Sequence, residues 1–184
     1  MTAALNLKQF AREKASLPDE EFLRQHTVPF LLLDPRKGKV SPRGEFKPHL
    51  PLVLLAGVEE PPEGVGEDEI GLNLVLEVKK TRDRRFPELI TVGRGPENDV
   101  VIDNPSISKL HAFFRGNPGD RSFTVVDSRS TNGTLLDGAT VPFIRPVELE
   151  SGGVLIFGGA FRGIFNYPED LYDYMKMMIK AGRL

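Results

Sequence analysis

Three short polar clusters carry the residues of this 184-residue chain that could do chemistry. The first is Gly93-Arg94, the second Ser108-Lys109-Leu110-His111, and the third Ser130-Thr131-Asn132-Gly133-Thr134. Each sits at the end of a short apolar run. Among them Arg94 supplies a guanidinium, Ser108 and Thr131 two hydroxyls, and Asn132 a side-chain amide. A planar guanidinium matches two oxygens of one anion, hydroxyls donate to others, and an amide, both donor and acceptor, can grip a peptide main chain. That set suits a doubly charged phosphate carried on a peptide. Gly93 lets the chain turn sharply before Arg94, and Gly133 permits the turn after Asn132. Lys109 offers a second cation.

Taken singly, these signals are weak. A Gly-Arg pair is commonly a turn beside a surface arginine, Asn-Gly is a common turn dipeptide, and a loop lysine is commonly solvated. Ser108 and His111 could be read as a nucleophile and its base. Three-residue spacing in a loop does not by itself bring an imidazole onto a hydroxyl, and nothing marks a third partner or an oxyanion hole. The string from Gly93 to Asn98 lacks the Lys-Ser/Thr ending of a nucleotide-binding loop and the third glycine of a dinucleotide fingerprint. His26, His49 and His111 lie far apart and the carboxylates are scattered. No catalytic residue, metal site or cofactor is therefore expected.

The elements that must position these clusters read as strands. Leu72, Leu74, Leu76 and Val78 alternate with Asn73, Glu77 and Lys79, a period of two. Short runs then recur at residues 89–94, 99–102, 112–115, 122–126, 134–136, 139–141, 146–149, 154–157 and 161–165, separated by turn residues. Asp137-Gly138 suits a type I′ hairpin, because both residues tolerate positive φ. Short strands at such spacing predict a β-sandwich built mainly from hairpins.

The order and spacing of Gly93-Arg94, Ser108-x-x-His111 and Ser130-Thr131-Asn132-Gly133-Thr134 resemble the forkhead-associated (FHA) family of phosphothreonine-peptide binding modules. The resemblance covers residues 71–166, roughly half the chain. It implies an antiparallel sandwich of about ten to eleven strands, with Arg94, Ser108 and Thr131 on the phosphate and Asn132 on the peptide main chain. His111 would brace the binding loops rather than touch the ligand, with Gly93 and Gly133 supporting it, and Lys109 would add charge. Residues after the phosphothreonine would meet the loops at 129–131 and 136–140. The implied partner is a phosphothreonine-containing protein or peptide, such as a Ser/Thr kinase or its substrate. The alternative is a scaffolding module of the same fold that binds without phosphate.

Composition agrees with a recognition protein. Forty per cent hydrophobic residues support a sizeable core, and a net charge of −2 argues against coating nucleic acid or membrane. Residues 36–47 and 79–85 are basic, yet neither interleaves with aromatics as single-stranded nucleic acid binders do. The absence of cysteine excludes disulfides and fits a reducing compartment. With no secretion signal and no apolar stretch of membrane length, a soluble cytoplasmic protein is expected; its oligomeric state is not legible.

Outside the module, residues 1–60 read as an accessory segment of short helices and strands. Leu7, Phe10, Ala11 and Ala15 have helical spacing, Ser16 looks like the cap of a second helix, and 28–33 and 51–58 are apolar runs of strand length. Residues 61–70, with two prolines, two glycines and four acids over 61–69, read as a linker. Residues 167–184 read as a helix opening at Pro168, with Leu171, Tyr174, Met175, Met178 and Ile179 on one face. The whole is mainly β, with a small α/β N-terminal extension and a C-terminal helix.

Overall fold

The run Phe30-Leu31-Leu32-Leu33 has no polar alternation, and its surroundings explain why. Leu31 and Leu33 point into one apolar core and Phe30 and Leu32 into another, so this strand is buried on both faces. The computed structural model describes residues 5–34, 74–81, 88–116, 119, 121–159 and 161–184. Within them the chain forms β1 (Leu5–Asn6), α1 (Leu7–Lys14), α2 (Asp19–Gln25), β2 (Phe30–Asp34) and β3 (Leu74–Glu77). It continues through β4 (Leu89–Gly93), β5 (Val100–Val101), β6 (Ala112–Arg115), β7 (Thr124–Asp127), β8 (Thr134–Leu136) and β9 (Ala139–Thr140). The last elements are β10 (Val147–Glu148), β11 (Val154–Phe157), β12 (Phe161–Asn166) and α3 (Pro168–Lys180).

The strands form two sheets, one ordered β1-β3-β2-β12-β11-β8-β9 and the other β10-β7-β6-β4-β5. All pairings between named strands are antiparallel except β4 with β5. The expected sandwich is present, with a third layer added. One core, including Leu31, Leu76, Phe114, Phe157 and Phe165, fills the space between the sheets. The other lies between the larger sheet and the helices and includes Phe10, Phe22, Leu32, Ile156, Leu171 and Met175. Burial on both sides makes β11 read Val-Leu-Ile-Phe without a polar residue.

The N-terminal segment does not stand apart from the sandwich. β2 is an interior strand, pairing with β12 from Asn166↔Phe30 to Arg162↔Asp34 and with β3 from Glu77↔Phe30 to Leu74↔Leu33. A module starting at residue 71 therefore omits two of the twelve strands among the described residues. The reading erred because β2 and β3 are separated by about forty residues of sequence, and distant pairing leaves no local signal. The run at 51–58, the basic loop at 36–47 and the linker at 61–70 lie outside the described residues.

Local capping also differs. Asn6, not Ser16, supplies a side-chain cap: its Oδ1 accepts from the Lys8 and Gln9 amides at 3.0 and 3.3 Å, opening α1. Pro18 occupies the cap position of α2 with no side-chain bond. Pro168 opens α3, and Leu171, Tyr172, Tyr174, Met175 and Met178 are buried along it. Burying such side chains fully contributes about 1.5–3 kcal/mol each, which fixes the helix on the sheet. Ile179, expected on the same stripe, is 40% exposed.

Candidate functional site

Sheet register brings the three polar clusters to one end of the five-stranded sheet. Val92 of β4 pairs with Ala112 of β6, and Ala112 with Asp127 of β7. The chain leaves β4 into Arg94, enters β6 from Ser108–His111, and leaves β7 into the 128–133 loop. Asn132 and Gly133 then lead into β8, which belongs to the other sheet. The site thus spans the mouth between the two sheets.

Gly93 is required where it stands. A Cβ on it would lie 2.2 Å from the Lys109 carbonyl oxygen and 2.8 Å from Asn98 Nδ2. That close approach lets the Arg94 amide donate to the Ser108 carbonyl at 3.0 Å and the Gly95 amide to Lys109 at 3.1 Å. Buried Asn98 tightens the junction, donating to the Gly95 and Lys109 carbonyls at 2.8 and 2.5 Å. The Arg94 and Lys109 side chains are exposed, and neither forms an ion pair among the described residues.

Ser108 and Thr131 meet directly. The Thr131 amide donates to Ser108 Oγ at 3.0 Å, and Ser108 Oγ lies 3.3 Å from Thr131 Oγ1. Beside them Asn132 Nδ2 donates to the Ser106 carbonyl at 2.8 Å, tying its loop to the segment before Ser108. Gly133 has φ +75° with open space around its α-carbon, so conformation alone asks for glycine.

His111 sits beneath this surface, fully buried, with both ring nitrogens engaged. The Ser108 amide donates to Nδ1 at 3.1 Å, so Nδ1 is unprotonated. Nε2 therefore carries the hydrogen and donates to the Gly133 carbonyl at 3.1 Å. The same carbonyl accepts from the Gly158 amide at 2.9 Å. Burial lowers the His111 pKa from its ordinary value, against the opposing pull of the Gly133 carbonyl and Asp127. Neutral His111 thus joins the Ser108 loop to the Gly133 turn and is not free to act as a base on Ser108.

Two buried carboxylates, not singled out in the sequence, complete the scaffold. Asp127 accepts from the Ser130 amide (2.9 Å), Ser130 Oγ (2.7 Å) and Thr134 Oγ1 (2.7 Å), spanning the loop that carries Thr131 and Asn132. Asp99 accepts from the amides of Thr81 and Thr91, both at 2.9 Å, and from their hydroxyls, and pairs with Lys80 at 3.2 Å. Burial disfavours its ionisation, but the bonds from Thr91, Thr81 and Lys80 prevail and hold the carboxyl at about 2. The available cue was an acid flanking a strand with threonines upstream, a pattern too common to single out.

The flanking surface also differs from expectation. β8 runs away from the site, since Thr134 lies opposite Phe157 and Leu136 opposite Leu155. The Asp137-Gly138 turn, with φ +50° and +82°, fits the expected hairpin but lies at the far end from Asn132. The loop adjoining the site is instead 142–146, where Phe143 bridges to Asp127. The Arg129 guanidinium stacks 4.0 Å from the Phe143 ring centre. Ile144 is 69% exposed at φ +74°, a conformation a β-branched residue rarely adopts.

The sequence profile of the FHA domain matches residues 90–158, the stretch that holds all three clusters. An oxoglutarate dehydrogenase inhibitor of Corynebacterium jeikeium is 38% identical over 113 residues, covering 60% of this chain and 70% of that protein. The inhibitor of Corynebacterium diphtheriae is 40% identical over 75 residues, 41% of this chain and 48% of its own length. An FHA domain-containing protein of Arabidopsis thaliana, PS1, is 31% identical over 80 residues, 44% of this chain but 5% of that protein. The chain thus spans about half or less of several curated relatives it matches. The solution structure of an Arabidopsis thaliana FHA domain overlays with a TM-score of 0.47 at 20% identity, over 77% of this chain and 86% of that one. The chain belongs to the FHA domain family.

Among the described residues no helix is long and apolar enough to cross a membrane, and no cluster of three potential ligands could hold a metal ion.

Proposed function

We propose that this protein recognises a phosphothreonine on a partner protein within Ser/Thr kinase signalling, by binding and without catalysis. One observation carries the reading: Ser108 Oγ and Thr131 Oγ1 lie 3.3 Å apart across two adjoining loops, and the Ser108 carbonyl receives the Arg94 amide. Two hydroxyls and a guanidinium thus rise from one stitched surface.

Arg94 supplies a bidentate, charge-matched fork, and Ser108 and Thr131 donate to the remaining phosphate oxygens. Asn132, held by the Ser106 carbonyl, presents its amide to the peptide main chain. Lys109 adds long-range attraction. His111, Asp127 and Gly133 fix the loops before the ligand arrives, so little ordering cost falls on the protein. Arg129, Phe143 and Ile144 provide the surface on which flanking peptide residues rest.

Charge-assisted hydrogen bonds contribute about 1.5–3 kcal/mol each. Three or four, less the ordering of a flexible peptide, correspond to about micromolar affinity. Calorimetric titration with matched phosphothreonine, phosphoserine and unphosphorylated peptides tests this. The expected result is binding of the phosphothreonine peptide at about micromolar Kd and weaker binding of the other two. Arg94→Ala and Ser108→Ala should abolish it with the melting temperature retained. Equal affinity for phosphorylated and unphosphorylated peptides would refute this reading and favour a phosphate-independent scaffolding role.

A further inference from the structure

Among the described residues the exposed large apolar side chains divide into two sets. Leu110, Phe143 and Ile144 lie on the loops at the phosphate site, whereas Leu5, Leu23 and Ile179 lie on the helical side. Ile179 opens onto a groove of about 560 Å³ between α1 and α3. Ala11, Ala15, Ile179 and Leu184 form its apolar floor, and Arg12, Lys176 and Lys180 stand on its lips. No residue of the groove belongs to the phosphate site.

We propose that this groove docks an acidic amphipathic helix of a partner protein. Ala15, partly buried at the cap of α1, is small enough for another backbone to approach closely, above Ala11, which is already buried in the core. An apolar floor between two helices takes the stripe of a third, read at i, i+3/i+4 and i+7 spacing. The charges choose the stripe's flanks. Lys176 is already paired with Asp19 at 3.2 Å and Asp173 at 3.6 Å. Arg12 on the α1 lip and Lys180 on the α3 lip are exposed, and neither is ion-paired among the described residues. One cation on each side, unpaired among the described residues, calls for carboxylates on both flanks of the incoming stripe. A second copy meeting the groove about a two-fold axis would set these cations against their own kind, which disfavours self-association there.

The protein then has two separate recognition surfaces and joins a phosphorylated partner to a second one. The docking reading does not depend on the phosphopeptide reading.

The probe is an acetylated, amidated helical peptide with leucines at i, i+4, i+7 and i+11 and glutamates flanking them. Its binding to the full chain is read by fluorescence anisotropy. Two controls carry lysine flanks on the same stripe, or the same glutamates around a serine stripe. The expected result is a Kd of roughly tens of micromolar for the glutamate-flanked peptide, with both controls at least about tenfold weaker. The double variant Arg12→Glu/Lys180→Glu, at exposed positions, should lose at least about tenfold for that peptide and gain affinity for the lysine-flanked one. Circular dichroism and the melting temperature confirm that this variant is folded. Equal binding of the three peptides, or an unchanged affinity in the folded variant, overturns the proposal. So does concentration-dependent dimerisation that the variant abolishes, or sedimentation with vesicles of 30% anionic lipid that the peptide does not reverse.

Discussion

The loop end that carries Arg94, Ser108 and Thr131 and the helical face each bury a histidine, and the two are held by opposite means. His111 spends both nitrogens on backbone groups of neighbouring loops. His26 spends one, Nδ1 on Glu77 at 3.0 Å, while its buried Nε2 has no hydrogen-bond partner among the described residues. What surrounds His26 is rings: Phe10, Phe22 and Phe30 lie with centroids 5.5, 4.7 and 5.5 Å away, and Phe22 stacks on Tyr172 at 4.5 Å. One end of the molecule is specified by directional bonds and the other by apolar bulk. Loops that must present Ser108, Thr131 and Asn132 at fixed positions need direction, because packing alone tolerates small shifts. A helical layer that only has to cover a sheet does not.

The comparison is broken most forcefully at Asp99. Asp99→Ala strands two part-buried amides, two hydroxyls and Lys80, and should cost about 3–5 kcal/mol in denaturant unfolding; a loss under about 1 kcal/mol would show that these bonds carry little. Next comes His111→Ala, expected to cost about 2–4 kcal/mol and to weaken phosphopeptide binding without removing a ligand contact. Undiminished stability would refute its bracing role.

Acid should separate the groups. His111 binds its proton less readily folded than unfolded, so its contribution is present above the ordinary value of 6.5 and lost as pH falls below it. Glu77, held at about 2 mainly by its bond from His26, and Asp99, also at about 2, give contributions present above their ordinary values of 4.5 and 3.8. Those are lost as pH falls through the interval down to about 2. Unfolding free energies measured from pH 8 to 3 should begin to fall near 6.5 in the parent chain and show a shallower slope there in His111→Ala. Identical slopes would remove His111 from the account. The smallest effect belongs to the rings: Phe22→Leu keeps an apolar side chain of similar size and should cost about 1 kcal/mol, leaving phosphopeptide affinity unchanged. A drop in affinity would mean that the two regions are coupled.

What the sequence disclosed follows from the same contrast. The gathering of Arg94, Ser108, His111, Thr131 and Asn132 at one end of the sheet was legible because their order and spacing form a motif, and the Asp137-Gly138 turn because turn chemistry is local. Asp99 and Asp127 were missed because their roles depend on which hydroxyls folding brings to them, Thr91 and Thr134 among others. β2 was seen as a strand, yet its place between β3 and β12 was illegible, since nothing in Phe30–Asp34 names its neighbours. The flanking surface was misplaced for a related reason. The turn at 137–138 looks close to Asn132 in the sequence, but β8 carries it to the far end.

The interior position of β2 has a consequence for the newly made chain. Of the two neighbours of Phe30–Asp34, β12 is synthesised about 130 residues later. Until then β2 has a partner on one side only, β3, and the final pairing closes a very long loop, which slows folding. A fragment trimmed to the family-matched residues 90–158 would lack β2, β3 and β12 altogether. It would leave β11 as a bare, wholly apolar border open to aggregation, so useful expression boundaries must begin well upstream of the recognisable motif and end downstream of it, beyond β12.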